Sequence, residues 1–154
     1  MNDIIYGNPH KLCEGCNILS VDKPFHCYAD YEEMEQSDIL FVGDSFKYRY
    51  GEITVFTDQD LELIEGALPS GVAYAVTASV KCPLLTDKQV TTGTKKICRA
   101  HLEKTIKVVK PKLIYACGNL PLRMLTNKSG ITKKRGHSIE IEVDGHKCIV
   151  VPIF

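Results

Sequence analysis

Apolar and polar positions along the chain follow two alternating rhythms, one of short continuous apolar runs and one of helical spacing. Asp38-Ile39-Leu40-Phe41-Val42-Gly43 is an apolar run ending in glycine, the form of a buried strand that enters a functional loop. Thr57 is placed to cap a helix whose first turn carries Asp58 and Asp60, with Leu61, Ile64 and Leu68 facing inward. Val72 to Val80 forms a second strand, followed by a loop with Cys82 and Pro83. A helix of about fifteen residues then starts at Lys95, with Ile97, Leu102, Ile106 and Val109 on one stripe, and Pro111 ends it. Leu113-Ile114-Tyr115-Ala116-Cys117-Gly118 repeats the strand-then-glycine pattern, and a short helix spans Pro121 to Leu125. Ile139 to Val143 and Lys147 to Val151, joined by Asp144-Gly145, form a hairpin.

This order predicts an α/β fold, a three-layer α/β/α sandwich around a mostly parallel central sheet of about four strands. Sites in such sheets lie beyond the carboxyl ends of the strands, here in the loops after Val42, Val80, Cys117 and Val151. With 154 residues, 44% of them hydrophobic, the chain fills one core, so residues 1–154 form a single domain. Residues 1–30 hold three Cys and two Pro with little periodicity and are expected to be an irregular segment. No stretch approaches twenty apolar residues, and Met1 to Tyr6 lacks the layout of a signal peptide. A soluble, cytoplasmic monomer with no membrane association is expected.

Charge divides the chain in two, although its formal net value is zero. Residues 1–76 hold fourteen Asp and Glu against four Lys and Arg, a balance of −10, and residues 77–154 carry the opposite +10. Lys95, Lys96, Arg99, Lys104, Lys107, Lys110 and Lys112, with Lys128 further on, are either an ordinary solvated face or a surface for a polyanion. The run Lys133-Lys134-Arg135-Gly136-His137 points more directly to phosphate, since it falls in an expected loop whose glycine permits close backbone approach.

Seven cysteines, an odd number with no secretory signal, argue for reduced thiols and a metal rather than a disulfide framework. Cys13-x2-Cys16, Cys82 and Cys98 have the spacing of one centre, gripped by a tight turn and completed from distant parts of the chain. Four thiolates suit zinc as well as an iron-sulfur cluster. Cys27, Cys117 and Cys148 are expected to be small buried hydrophobes. His10 and His26 are alternative ligands, and His137 and His146 are expected at the surface.

In their order along the chain these segments resemble the iron-sulfur uracil-DNA glycosylases of the uracil-DNA glycosylase superfamily. The resemblance is carried by Cys13-x2-Cys16, Ile39 to Asp44, Val76-Thr77-Ala78-Ser79-Val80-Lys81-Cys82-Pro83 and Cys98. It continues through Lys110-Pro111-Lys112-Leu113-Ile114 with Gly118, and Ile131-Thr132-Lys133-Lys134-Arg135-Gly136. It implies a 4Fe-4S cluster held by Cys13, Cys16, Cys82 and Cys98, structural rather than catalytic, that staples residues 1–30 to the body of the fold. It also implies cleavage of the bond between uracil and deoxyribose in base-excision repair or DNA replication, on a base turned out of the stack.

The implied base pocket is formed by Gly43, Ser45, Phe56 and Ala78, with Asp44 positioning the attacking water. Asp44 is alternatively a strand-end carboxylate that caps a backbone amide, and Phe56, the implied stacking ring, is alternatively core. Several positions depart from the family. Its Gly-Glu-Ala-Pro-Gly loop is Gly43-Asp44-Ser45-Phe46-Lys47 here, and Ala78 stands where an Asn reads the uracil edge. The sequence reaches Phe154 ahead of the position of the family's His-Pro-Ser loop. The expected protein therefore binds single- or double-stranded DNA through its basic half and Lys133, Lys134, Arg135, Gly136 and His137, with weak or no uracil excision. Replication proteins are possible partners. The alternative is an active glycosylase when completed by downstream sequence.

Overall fold

The structure, a computed structural model, describes residues 31, 34–49, 52–81, 91–128 and 130–153. In chain order its elements are β1 (Ile39–Ser45), β2 (Lys47–Arg49), β3 (Glu52–Thr54), α1 (Asp58–Ala67), β4 (Tyr74–Val80) and α2 (Thr92–Val109). There follow β5 (Leu113–Cys117), α3 (Asn119–Thr126), α4 (Ile131–Lys134), β6 (Ile139–Val143) and β7 (His146–Ile153). The main sheet has five strands in the order β4-β1-β5-β7-β6, and only β6 runs antiparallel. The α/β class and the mostly parallel sheet agree with the pattern of the sequence. The fifth strand is β6, brought in by the expected hairpin, whose Asp144 and Gly145 take φ of 49° and 80° as a tight primed turn needs.

Register decides which side chains form the core. Leu40 lies opposite both Ala75 and Ile114, and Ile114 lies opposite Val150. Because side chains alternate across a strand, Leu40, Val42, Ile114, Ala116 and Val150 share one face. Leu102 and Ile106 of α2 and Leu122 and Leu125 of α3 close over that face, all of them buried. The opposite face carries Phe41 and Tyr115, stacked with centroids 5.0 Å apart, while Tyr74 meets Phe41 edge-on at 6.0 Å. Among the described residues the helix over this second face is α1, which has no fully buried residue. Leu61, Ile64 and Leu68 are half-buried rather than core.

Several boundaries differ from expectation for local reasons. β1 continues past Gly43 because pairing with β4 persists to Ser45 opposite Val80, so Asp44 and Ser45 belong to a strand rather than a loop. β7 likewise runs to Ile153, paired with Cys117. α2 starts at Thr92 because Thr91 and Thr94 make a reciprocal capping box. Residues 131–134 form a helical turn where a loop was expected, with the amides of Lys133 and Lys134 both donating to the Gly130 carbonyl. The β2–β3 hairpin has three residues per strand, too few to show a period. No described helix is long and apolar enough to cross a membrane.

Candidate functional site

A cleft of about 660 Å³ opens between α1 and the second face of the sheet. Its floor is Phe41, Tyr115 and Ile153, its inner end Asp44, Cys117 and Gly118, and its outer wall Phe56, Asp60 and the apolar side of α1. The inner end coincides with the carboxyl ends of β1, β5 and β7, where an open parallel sheet leaves backbone groups to face a ligand. Gly118 makes the close packing there possible. At φ 120° it adopts a backbone that side chains rarely take, and a Cβ would stand 3.1 Å from Asp44 Oδ1.

The outer wall is fixed by the cap of α1. The Thr57 amide donates to the Asp60 carboxylate, and the Asp60 amide donates to the Thr57 hydroxyl, both at 3.1 Å. The reciprocal pair sets where the chain turns into the helix, and with it the position of Phe56 beside the cleft.

The expected base-pocket residues separate into two groups. Asp44, exposed, and Phe56, half-buried, are brought together in the cleft. Gly43, Ser45 and Ala78 are not among its lining residues. Ala78 is fully buried in a small cluster with Phe46 and Val55. Ser45 is buried, and its hydroxyl has no hydrogen-bond partner among the described residues. Gly43 lies against Val55 and Phe56, and its carbonyl accepts the Ser79 hydroxyl at 2.9 Å. Asp60, Tyr115 and Cys117 were missed as cleft residues. The capping pattern marked Asp60 only as a helix-start acid, and Tyr115 and Cys117 sit inside an apolar run with no period of their own.

Cys117 is half-buried and lines the cleft rather than filling the core. Its thiol is pushed up to about 12, first by burial and then by the negative charge of Asp44, with a smaller contribution from Asp60. The fold therefore favours the protonated thiol. Stability is expected to fall as pH rises from about 8.5, where an unfolded thiol ionises, toward 12. At pH 8 a disulfide reagent should modify Cys117 roughly 50-fold more slowly than a free cysteine, the loss of thiolate outweighing its greater nucleophilicity. Peptide-level mass spectrometry over time measures this, and a rate equal to that of free cysteine would refute it.

The basic loop lies beside the cleft rather than in it. The Gly136 amide donates to the Pro152 carbonyl at 2.9 Å, which ties the loop to the last residues of β7 next to Ile153. Lys133, Arg135 and His137 are exposed and Lys134 is half-buried. His146, expected at the surface, is instead half-buried, its Nε2 2.6 Å from the Pro111 carbonyl.

Of the expected metal ligands, Cys98 is buried on α2 among the core side chains. Cys13, Cys16 and Cys82 lie outside the described residues, as do Cys27, His10 and His26. The described residues contain no group of three or more His, Cys, Asp or Glu able to hold a metal ion. Cys148 is buried, as expected of a small hydrophobe, and its thiol is pushed up to about 11 by that burial.

Fold and site together define an α/β protein with a ring-lined, carboxylate-bearing cleft at the carboxyl end of a mostly parallel sheet. The chain matches no family model, and no curated protein matches it.

Proposed function

We propose that this chain is a uracil-DNA glycosylase-like protein of base-excision repair or DNA replication. It binds DNA as a monomer and receives an unstacked base in the Asp44 cleft, and its cleavage of the N-glycosidic bond is weak or absent. The observation that carries this reading is the meeting of Asp44 and Phe56 in one cleft, of a volume usual for small-molecule sites. Phe56, Phe41 and Tyr115 give the cleft aromatic surface against which a flat base can pack. The Asp44 carboxylate is suited to positive charge developing on a sugar, or to orienting a water.

Slow chemistry follows from what lines the cleft. Its described walls carry no side-chain amide and no histidine, the groups suited to reading a base edge or offsetting negative charge on a departing base. Asp44 and Asp60 repel such an anion, and loss of single catalytic groups commonly costs orders of magnitude in rate.

Cys13, Cys16, Cys82 and Cys98 are the residues that would hold the 4Fe-4S cluster, with zinc as the alternative. The buried setting of Cys98 suits a thiolate screened from water. When bound, the cluster would cross-link residues 1–30 to α2.

Binding to a single-stranded oligonucleotide bearing one uracil, followed by anisotropy across a salt series, is paired with chromatographic detection of free base. The expected result is affinity that falls with salt, tighter binding than to the same strand with an abasic site in place of the uracil, a difference that Phe56→Ala removes, and at most a trace of released uracil. The purified protein should also carry iron and acid-labile sulfide. Robust uracil release would overturn weak cleavage, and absence of binding at low salt would overturn the DNA reading. Zinc without sulfide would remove the iron-sulfur cluster alone.

A further inference from the structure

On the opposite side of the sheet, α2 and α3 meet along a second depression of about 390 Å³. Thr92, Lys95, Lys96 and Arg99 recur at the spacing that places them on one side of α2, and Arg123 and Asn127 face them from the end of α3. Among the described residues four of the lining side chains are cations and none is a carboxylate. Such a gathering is unfavourable by itself, because like charges in a concave, partly desolvated surface repel.

The four cations differ in their partners. Arg99 is half-buried, donates to the Met124 carbonyl at the end of α3, and lies 3.4 Å from Glu103 one turn further along α2. It holds the two helices together at the floor of the groove. Lys95, Lys96 and Arg123 have no carboxylate within ion-pairing distance among the described residues. The lysines further along α2 are engaged, since Lys107 pairs with Asp144 at 2.7 Å and Lys104 lies over the Tyr31 ring. Among the described residues, three cations without a carboxylate partner are thus gathered in one groove.

We propose that this groove binds the phosphodiester backbone of a nucleic-acid strand, as a second site separate from the Asp44 cleft. From Thr92 to Arg99 the wall extends about 10 Å along α2 at 1.5 Å per residue, long enough for more than one phosphate. No aromatic ring is among its described lining residues, so these offer no platform for a base to stack on and recognise backbone without sequence. The site shares with the proposed function only the expectation of nucleic acid, and a failure of base recognition in the cleft would leave it intact.

Lys96 and Arg123 are exposed, so their substitution should not disturb folding. Binding of the full chain to a labelled oligothymidylate is measured across a salt series for the wild type, the double variant Lys96→Gln/Arg123→Gln and Lys107→Gln. In the double variant the slope of log affinity against log salt should fall in magnitude by about 1.4, two single-strand contacts at about 0.7 each, with roughly tenfold weaker binding at low salt. Lys107→Gln should retain the wild-type slope. An unchanged slope in the double variant, or an equal loss in Lys107→Gln, would overturn the proposal. Competition with inorganic triphosphate separates the two phosphate sources. Displacement only at concentrations far above those of unlabelled oligonucleotide supports a strand site, and displacement at equal concentrations overturns it in favour of a free nucleotide.

Discussion

Replacing Leu102 with alanine is expected to destabilise the protein by about 2–5 kcal/mol, the range for deleting a fully buried leucine side chain. Leu102 is completely buried on α2, within the cluster that includes Leu40, Val42, Ile114 and Leu122. Two costs add. The removed methyl groups lose their transfer free energy, and the cavity left behind collapses only in part because rigid strands line its other side. Urea denaturation should show a lower midpoint with a similar slope. A loss below about 1 kcal/mol would mean that α2 does not close over the sheet as described.

Gly43→Ala should be costly although it adds one methyl group. A Cβ at Gly43 would lie 2.5 Å from Val55 Cγ2 and 3.3 Å from two Phe56 ring atoms. Val55 is β-branched and has little freedom at its first side-chain torsion, so it cannot swing aside without moving its backbone. Overpacking of this kind costs about 1–3 kcal/mol. It also acts on the site, because a shift of Val55 moves the adjoining Phe56, which forms part of the outer wall of the cleft. The expected result is reduced stability together with loss of the preference for a base over an abasic site, while the salt slope of backbone binding through the α2–α3 groove is retained. A variant as stable as the wild type with intact base preference would show that nothing is gained at this position by having no side chain.

Where the signal lies within a few residues, the sequence was informative. The apolar runs around Leu40 and Ile114 were legible as parallel-type strands, because strands buried on both faces need no polar alternation. Thr57 with Asp60 marked a helix start, since a capping box is a contact three residues long. Asp144-Gly145 marked a hairpin, because few residues tolerate the positive φ of its turn. Strand ends were less legible. Whether β1 stops at Gly43 or continues to Ser45 depends on its neighbour β4, thirty-five residues further on at Val80.

Tertiary structure alone decided the candidate site. Phe56 meets Asp44 because the chain entering α1 folds back over the end of β1, and Tyr115 joins them because β5 is the adjacent strand. Ala78, one strand away in the other direction, is drawn instead into the Phe46 and Val55 cluster. The basic groove has the same origin. Lys95, Lys96 and Arg99 show their spacing in the sequence, but Arg123 meets them only because α2 and α3 pack on the same face of the sheet. Secondary structure is governed by local torsions, caps and side-chain period, which a chain displays residue by residue. Clefts and charge clusters arise from contacts between segments far apart in the chain, and strand order and packing select those contacts.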